Sequence, residues 1–223
     1  MLTDFAENSR EMVRIRNSQE AFKGWMREAC SQGSKAAVRK AEQRHDAMGA
    51  VFAALSSGNL ESATSLASKY GYHQLAAMIA VGPAGAEFVK DQVRQWQVAG
   101  NSKFIADDIL RVYTLLGGNL KVEEELYRGG DHSVDWKRRL GMLLFYTCDN
   151  DGGVFDFERL VDMYQVSVDR GVAPKPQSEF CKNDETCLLY RLISIGNPIV
   201  RGEHSIKYSM ADVISPTSHA IYP

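Results

Sequence analysis

Few side chains in this 223-residue sequence stand in arrangements that could do chemistry. His73, in YGYHQLAAM, falls at a helix start, where a polar or partly buried structural histidine is a simpler reading than a catalytic one. Asp131 and His132, in GGDH, look like half of a metal or base pair. No second histidine or carboxylate stands at helical spacing from them, so they read as a turn and an N-cap. DNDGG, at 149–153, has the look of a calcium loop, but it lacks the alternating oxygen ligands and the closing glutamate. It reads as a helix-terminating turn. Cys30, Cys148, Cys181 and Cys187 form no CxxC pair and are expected to be reduced thiols rather than zinc ligands. No P-loop, dinucleotide fingerprint, GxSxG or HExxH occurs. The expectation is a protein that is not an enzyme, with no cofactor, no metal and no small-molecule substrate.

One charged cluster remains. DWKRRLGMLLFY, at 135–146, opens an apolar helix on Lys137, Arg138 and Arg139, where the helix dipole favours carboxylates. Asp135 suits the N-cap and offsets part of that placement. Trp136, Leu140, Leu143 and Leu144 fall on one core-facing stripe, and Gly141 suggests close approach of a neighbouring helix. Arg138 is expected to point away from the stripe. Lys137 and Arg139 are expected to flank it with their aliphatic stems, which makes the cluster a solvent edge rather than a site.

The composition bounds the class of protein. Hydrophobic residues make up 44% and charged residues 24%, which is ordinary for a globular chain with a real core. A net charge of −2 argues against a dedicated nucleic-acid domain, and no direct nucleic-acid binding is expected. Residues 10–44 are nonetheless basic, with nine Lys or Arg against four Glu, while 149–169 runs acidic. No apolar run approaches the roughly 18–20 residues that span a bilayer, and the charged N-terminus does not resemble a signal peptide.

The apolar periodicity is helical throughout, and no stretch alternates like a strand. Helices are expected over 4–31, 34–57, 60–70, 72–81, 85–98, 102–116, 120–127, 135–146, 154–168 and 184–195. The first two are separated by SQGS. Gly58 suits a helix C′ position, Asn59 an N-cap, and Pro83 the first turn of a new helix. Residues 170–186 read as a loop. Short connections make successive helices antiparallel neighbours, and the many alanines at 47–80 allow close packing. The fold class is all-α: an irregular α-solenoid, a fold-back stack of antiparallel helix pairs. It is expected as one domain over 1–223 without a strict repeat period.

The run MGAVFAALSSGNLESATSLASKYGYHQLAAMIAVG (48–82) resembles the nucleoporin 96 family. Its pattern is supplied by Glu61, Ala63, Leu66, Ala67, Gly71, His73, Leu75 and Ala76. Further similar segments follow in order: Gln92 with Trp96, then Ile105, Ile109, Leu110, Arg111, Tyr113, Leu115, Leu116 and Gly117, then DWKRRLGMLLFY. EAFKGWM (20–26) and DVISPTSHAIYP (212–223) also resemble family segments. Phe145 departs from the family's usual tryptophan, and 170–186 does not align.

This resemblance implies an ancestral coatomer element, a helical scaffold subunit of the Y-shaped outer-ring coat of the nuclear pore complex. That coat supports mRNA export and protein import at the nuclear envelope. The chain would be a fragment holding the crown and returning trunk. Partners implied are other Y-complex scaffold nucleoporins, including a neighbouring helical one. In the full-length protein a small β-propeller shared with the COPII coat would join through a β-blade not seen in this sequence. The basic first helices offer Arg14, Phe22, Lys23, Trp25 and Arg27 as an interface. Trp96, Tyr113, Leu116, Trp136, Leu140, Leu144 and Tyr146 would be signature core. A helical scaffold of a vesicle coat and an unrelated helical adaptor stay open as alternatives.

Overall fold

The computed structural model describes residues 2–120, 134–148, 155–177 and 187–195. Asp131, His132, the 149–153 turn, Cys181, the tail from 196 and all but Leu120 of the helix expected at 120–127 lie outside them. The described residues hold helices α1 (Leu2–Gln43), α2 (Ala47–Leu55), α3 (Leu60–Lys69), α4 (His73–Val81), α5 (Ala86–Val98), α6 (Asp107–Leu116), α7 (Trp136–Tyr146), α8 (Phe157–Asp169) and α9 (Leu188–Ile195). Two 3₁₀ turns, Gly82–Gly85 and Ser102–Phe104, lead into α5 and towards α6. No β-strand occurs among the described residues. The fold is the expected all-α helical stack.

Two compact units form, residues 20–175 and residues 1–19 with 176–223. In the second of these, α9 carries buried Tyr190 and Ile193, and the Cys187 amide donates to the Pro176 carbonyl at 2.6 Å. In the larger unit successive helices pack in pairs: α2 on α3, α3 on α4, α5 on α6 and α7 on α8. Helix α6 also meets α2 and α7, which ties the pairs together. Alanines make the closest contacts possible, with Ala50, Ala63 and Ala67 fully buried. Each larger core side chain, such as Leu55, Ile79 or Leu140, adds roughly 1.5–3 kcal/mol by leaving water.

The turn between α2 and α3 forms as its residues dictate. Gly58 takes φ +69°, and a Cβ there would lie 2.8 Å from the Phe145 ring, so both backbone and space call for glycine. The Asn59 side chain accepts from the Ser62 amide at 2.9 Å. Pro83 sits in the first residues of its 3₁₀ turn.

Two boundaries differ most from expectation. SQGS does not interrupt the chain, and α1 runs unbroken to Gln43. Its small residues make room for neighbours: Ser34 Oγ donates to the Ala53 carbonyl at 2.7 Å, and Gly33 lies against Asp135. The break falls at 44–46 instead. There His45 adopts φ +57°, the Asp46 amide closes back on the Ala41 carbonyl at 2.9 Å, and Asp46 Oδ1 accepts from the Gly49 amide at 2.7 Å. Helix α6 also begins five residues later than expected, because Ile105 and Ala106 are extended. Phe104, assigned to that helix from sequence, is largely exposed.

Candidate interaction surface

The surface suggested by the sequence is built on α1. Phe22 is half-buried, with its ring 4.8 Å from Phe157 and 5.6 Å from Trp25. Phe155 completes the group, 5.8 Å from Phe157. These aromatics meet because α1 offers Phe22 on its inner face, while Phe155 and Phe157 flank Asp156. The Asp156 carboxylate caps α8 by accepting from the Glu158 and Arg159 amides. Lys23 is buried, its Nζ 3.0 Å from Glu20 and 5.8 Å from the centre of the Phe155 ring. Its charge is therefore spent inside the unit.

Trp25 is 40% exposed, and Arg27 is exposed with its guanidinium 5.3 Å from the Phe145 ring. Arg14 is exposed on the part of α1 that belongs to the other unit. Of the five residues, the structure brings Phe22 to Trp25 and anchors Lys23, and it leaves Trp25 and Arg27 facing outward.

The signature residues pack inward. Leu116, Trp136, Leu140, Leu144 and Tyr146 are buried, while Trp96 and Tyr113 are half-buried and face each other at 4.9 Å. Burial raises the Tyr113 phenol, and it raises that of Tyr146 further, with Arg27 opposing. Tyr146 stays a neutral donor, its hydroxyl 2.9 Å from the Leu55 carbonyl.

The basic cluster of α7 is not a solvent edge. Arg138 and Arg139 are buried, and Lys137 is half-buried. A buried guanidinium requires partners, and Arg138 has them. Its Nε donates to Asp135 Oδ2 at 2.7 Å and its Nη1 to Ser56 Oγ at 3.3 Å. Asp135 Oδ1 meanwhile accepts from the Arg138 amide at 3.0 Å, so one carboxylate caps the helix and neutralises its first buried charge. Ser56 Oγ donates to the Ala53 carbonyl, as Ser34 does from α1, and Ser57 Oγ reaches Ser34 Oγ at 3.1 Å. A polar seam thus joins α1, α2 and α7. Sequence reading misses it, and the only local signal was the cluster of small residues in SQGS and SSGN.

Gly141 has the expected close neighbour, since a Cβ there would lie 3.3 Å from Cys30 Sγ on α1. Cys30 is buried, and desolvation pushes its thiol up to about 12, with Asp135 adding and Arg138 and Lys137 opposing. Such a thiol packs rather than reacts. Among the described residues no cluster of three or more His, Cys, Asp or Glu is placed to hold a metal, and no helix is long and apolar enough to cross a membrane. The arrangement offers packing surfaces and a polar seam.

Residues 49–221, well over half of the sequence, match the family described as nuclear protein 96, Nup96. The match opens inside α2, after α1 has ended, and takes in the Asn59-capped α3, the Trp96–Tyr113 pair and the buried α7. With the all-α stack described above, it establishes that the chain belongs to the nuclear protein 96 (Nup96) family of nucleoporins.

Proposed function

We propose that this chain is a non-catalytic scaffold subunit of the Y-shaped outer-ring coat of the nuclear pore complex. In that coat it would support mRNA export and protein import at the nuclear envelope. The family match over 49–221 carries the reading. The stack of short, alanine-packed helices supports it, because such a stack resists deformation and offers long lateral surfaces to other proteins. Its partners would be other Y-complex nucleoporins, including a helical neighbour, and in the full-length protein the small β-propeller shared with the COPII coat. We assign Trp25 and Arg27 to the partner-facing side of α1, with Phe22 and Lys23 holding that side in place.

Affinity capture of the tagged full-length protein after cross-linking tests the assignment, together with imaging of the tagged protein. The expected result is Y-complex nucleoporins and a nuclear-rim signal. Recovery of vesicle-coat subunits, without the rim signal, would replace this reading with the coat of a budding vesicle.

A further inference from the structure

A cavity of about 120 Å³, near the volume of four liquid waters, opens where the C-terminal end of α1 meets α2, α6 and α7. Among the described residues its wall carries Lys40, Arg44, Arg111 and Arg138, the last already paired with Asp135, against one lining carboxylate, Asp46. That carboxylate is already turned to the Gly49 amide as the cap of α2. Two of the cations are more than nine-tenths buried, Arg111 at 6% and Arg138 at 7% exposure. Arg111 lies over the Phe52 ring, 3.7 Å from its centroid. A guanidinium stacked this way has one face blocked, and its N–H groups can donate only in its own plane.

Arg44 and Arg111 also engage other groups of the chain. Arg138 spends Nε on Asp135 and Nη1 on Ser56, which leaves Nη2 uncommitted among the described residues. Lys40 Nζ makes no ion pair or hydrogen bond among the described residues.

We propose that this cavity is an oxyanion site for a phosphate-like group, held by Lys40 Nζ and Arg138 Nη2. Arg138 is buried, where the effective dielectric is below that of water, so a charge-assisted hydrogen bond from it to the anion is stronger than one at an open surface. The volume suits a tetrahedral oxyanion. The same chemistry has two sources, a free anion or the phosphoryl group of a phosphorylated side chain.

Isothermal titration of the full chain at fixed ionic strength in chloride tests the site, with inorganic phosphate in one arm and O-phosphoserine in the other. Saturable one-to-one binding of at least one ligand is expected. It should weaken by about tenfold or more in Lys40→Ala and persist in Lys35→Ala, which changes another lysine of α1 outside the cavity. Tighter binding of O-phosphoserine assigns the site to a phosphorylated side chain, and equal or tighter binding of phosphate assigns it to a free anion. Lys40 is exposed, so its substitution leaves the fold intact. Absence of saturable binding to either ligand overturns the proposal, and so does equal weakening by Lys35→Ala and Lys40→Ala.

Discussion

At the residue scale, two side chains show how burial sets behaviour. Trp136 is 7% exposed at the first position of α7. Trp136→Ala should therefore destabilise the protein by roughly 3–5 kcal/mol, the cost of deleting a large core side chain. A lower denaturant midpoint at unchanged slope is the expected reading. Cys30 gives a pH dependence. Its thiol is raised from 9.0 to about 12 in the folded chain. Below pH 9 both states are protonated and the full stability is present. Above it the unfolded thiol ionises while the folded one does not, so stability falls as pH rises through the 9–12 window, by at most about 1.4 kcal/mol per pH unit. Tyr146, also raised by burial, adds to the fall with the same sign at higher pH. Urea melts across this window should show a shallower fall in Cys30→Ala than in the parent chain. Identical slopes would mean that Cys30 gains no protection from burial.

At the element scale, α1 carries two glycines with opposite meanings. Gly24 is exposed, and a Cβ there would meet nothing within 4 Å. Gly33 faces α7, where a Cβ would lie 2.8 Å from Asp135 Oδ2. Glycine in a helix interior costs about 0.5–1 kcal/mol relative to alanine. Gly24→Ala should recover that amount. Gly33→Ala should lose stability instead, because it displaces the carboxylate that caps α7 and neutralises Arg138. Thermal unfolding of the two variants distinguishes a helix that merely contains glycines from one notched to receive α7.

The same helix shows where local reading stops. Small residues such as SQGS mark a turn when the chain must bend and a notch when a neighbour must approach, and composition alone does not separate the two. At SSGN the turn was legible, since Gly58 and Asn59 satisfy a C′ and an N-cap from local chemistry. The true end of α1 also left a local trace in Asp46, a cap residue placed just before the apolar run of α2.

At the scale of the whole molecule, the question is which surface is left for partners. The larger unit buries the signature stripe and pairs Lys23 with Glu20 and Arg138 with Asp135, while Trp25 stays 40% exposed. If α1 faces a neighbouring nucleoporin, Trp25→Ala should cost at most about 1 kcal/mol of stability while lowering recovery of that neighbour in cross-linked capture severalfold. Undiminished recovery would move the interface off this part of α1.

The sequence by itself determined the all-α class, the caps at Asn59 and Asp135, the apolar stripe of α7 and the family. Each of these depends on contacts or spacings within a few residues, or on side-chain types in order. The tertiary structure decided the rest. It turned SQGS into a docking notch, and it buried Arg138 by giving it Ser56, a partner 82 residues away in the chain. It also gathered Lys40, Arg44, Arg111 and Arg138 around one cavity. The physical reason is that a charge or a glycine has no fixed environment until distant helices meet. Burial, pairing and close approach are properties of the packed chain, not of the residue or its neighbours in sequence.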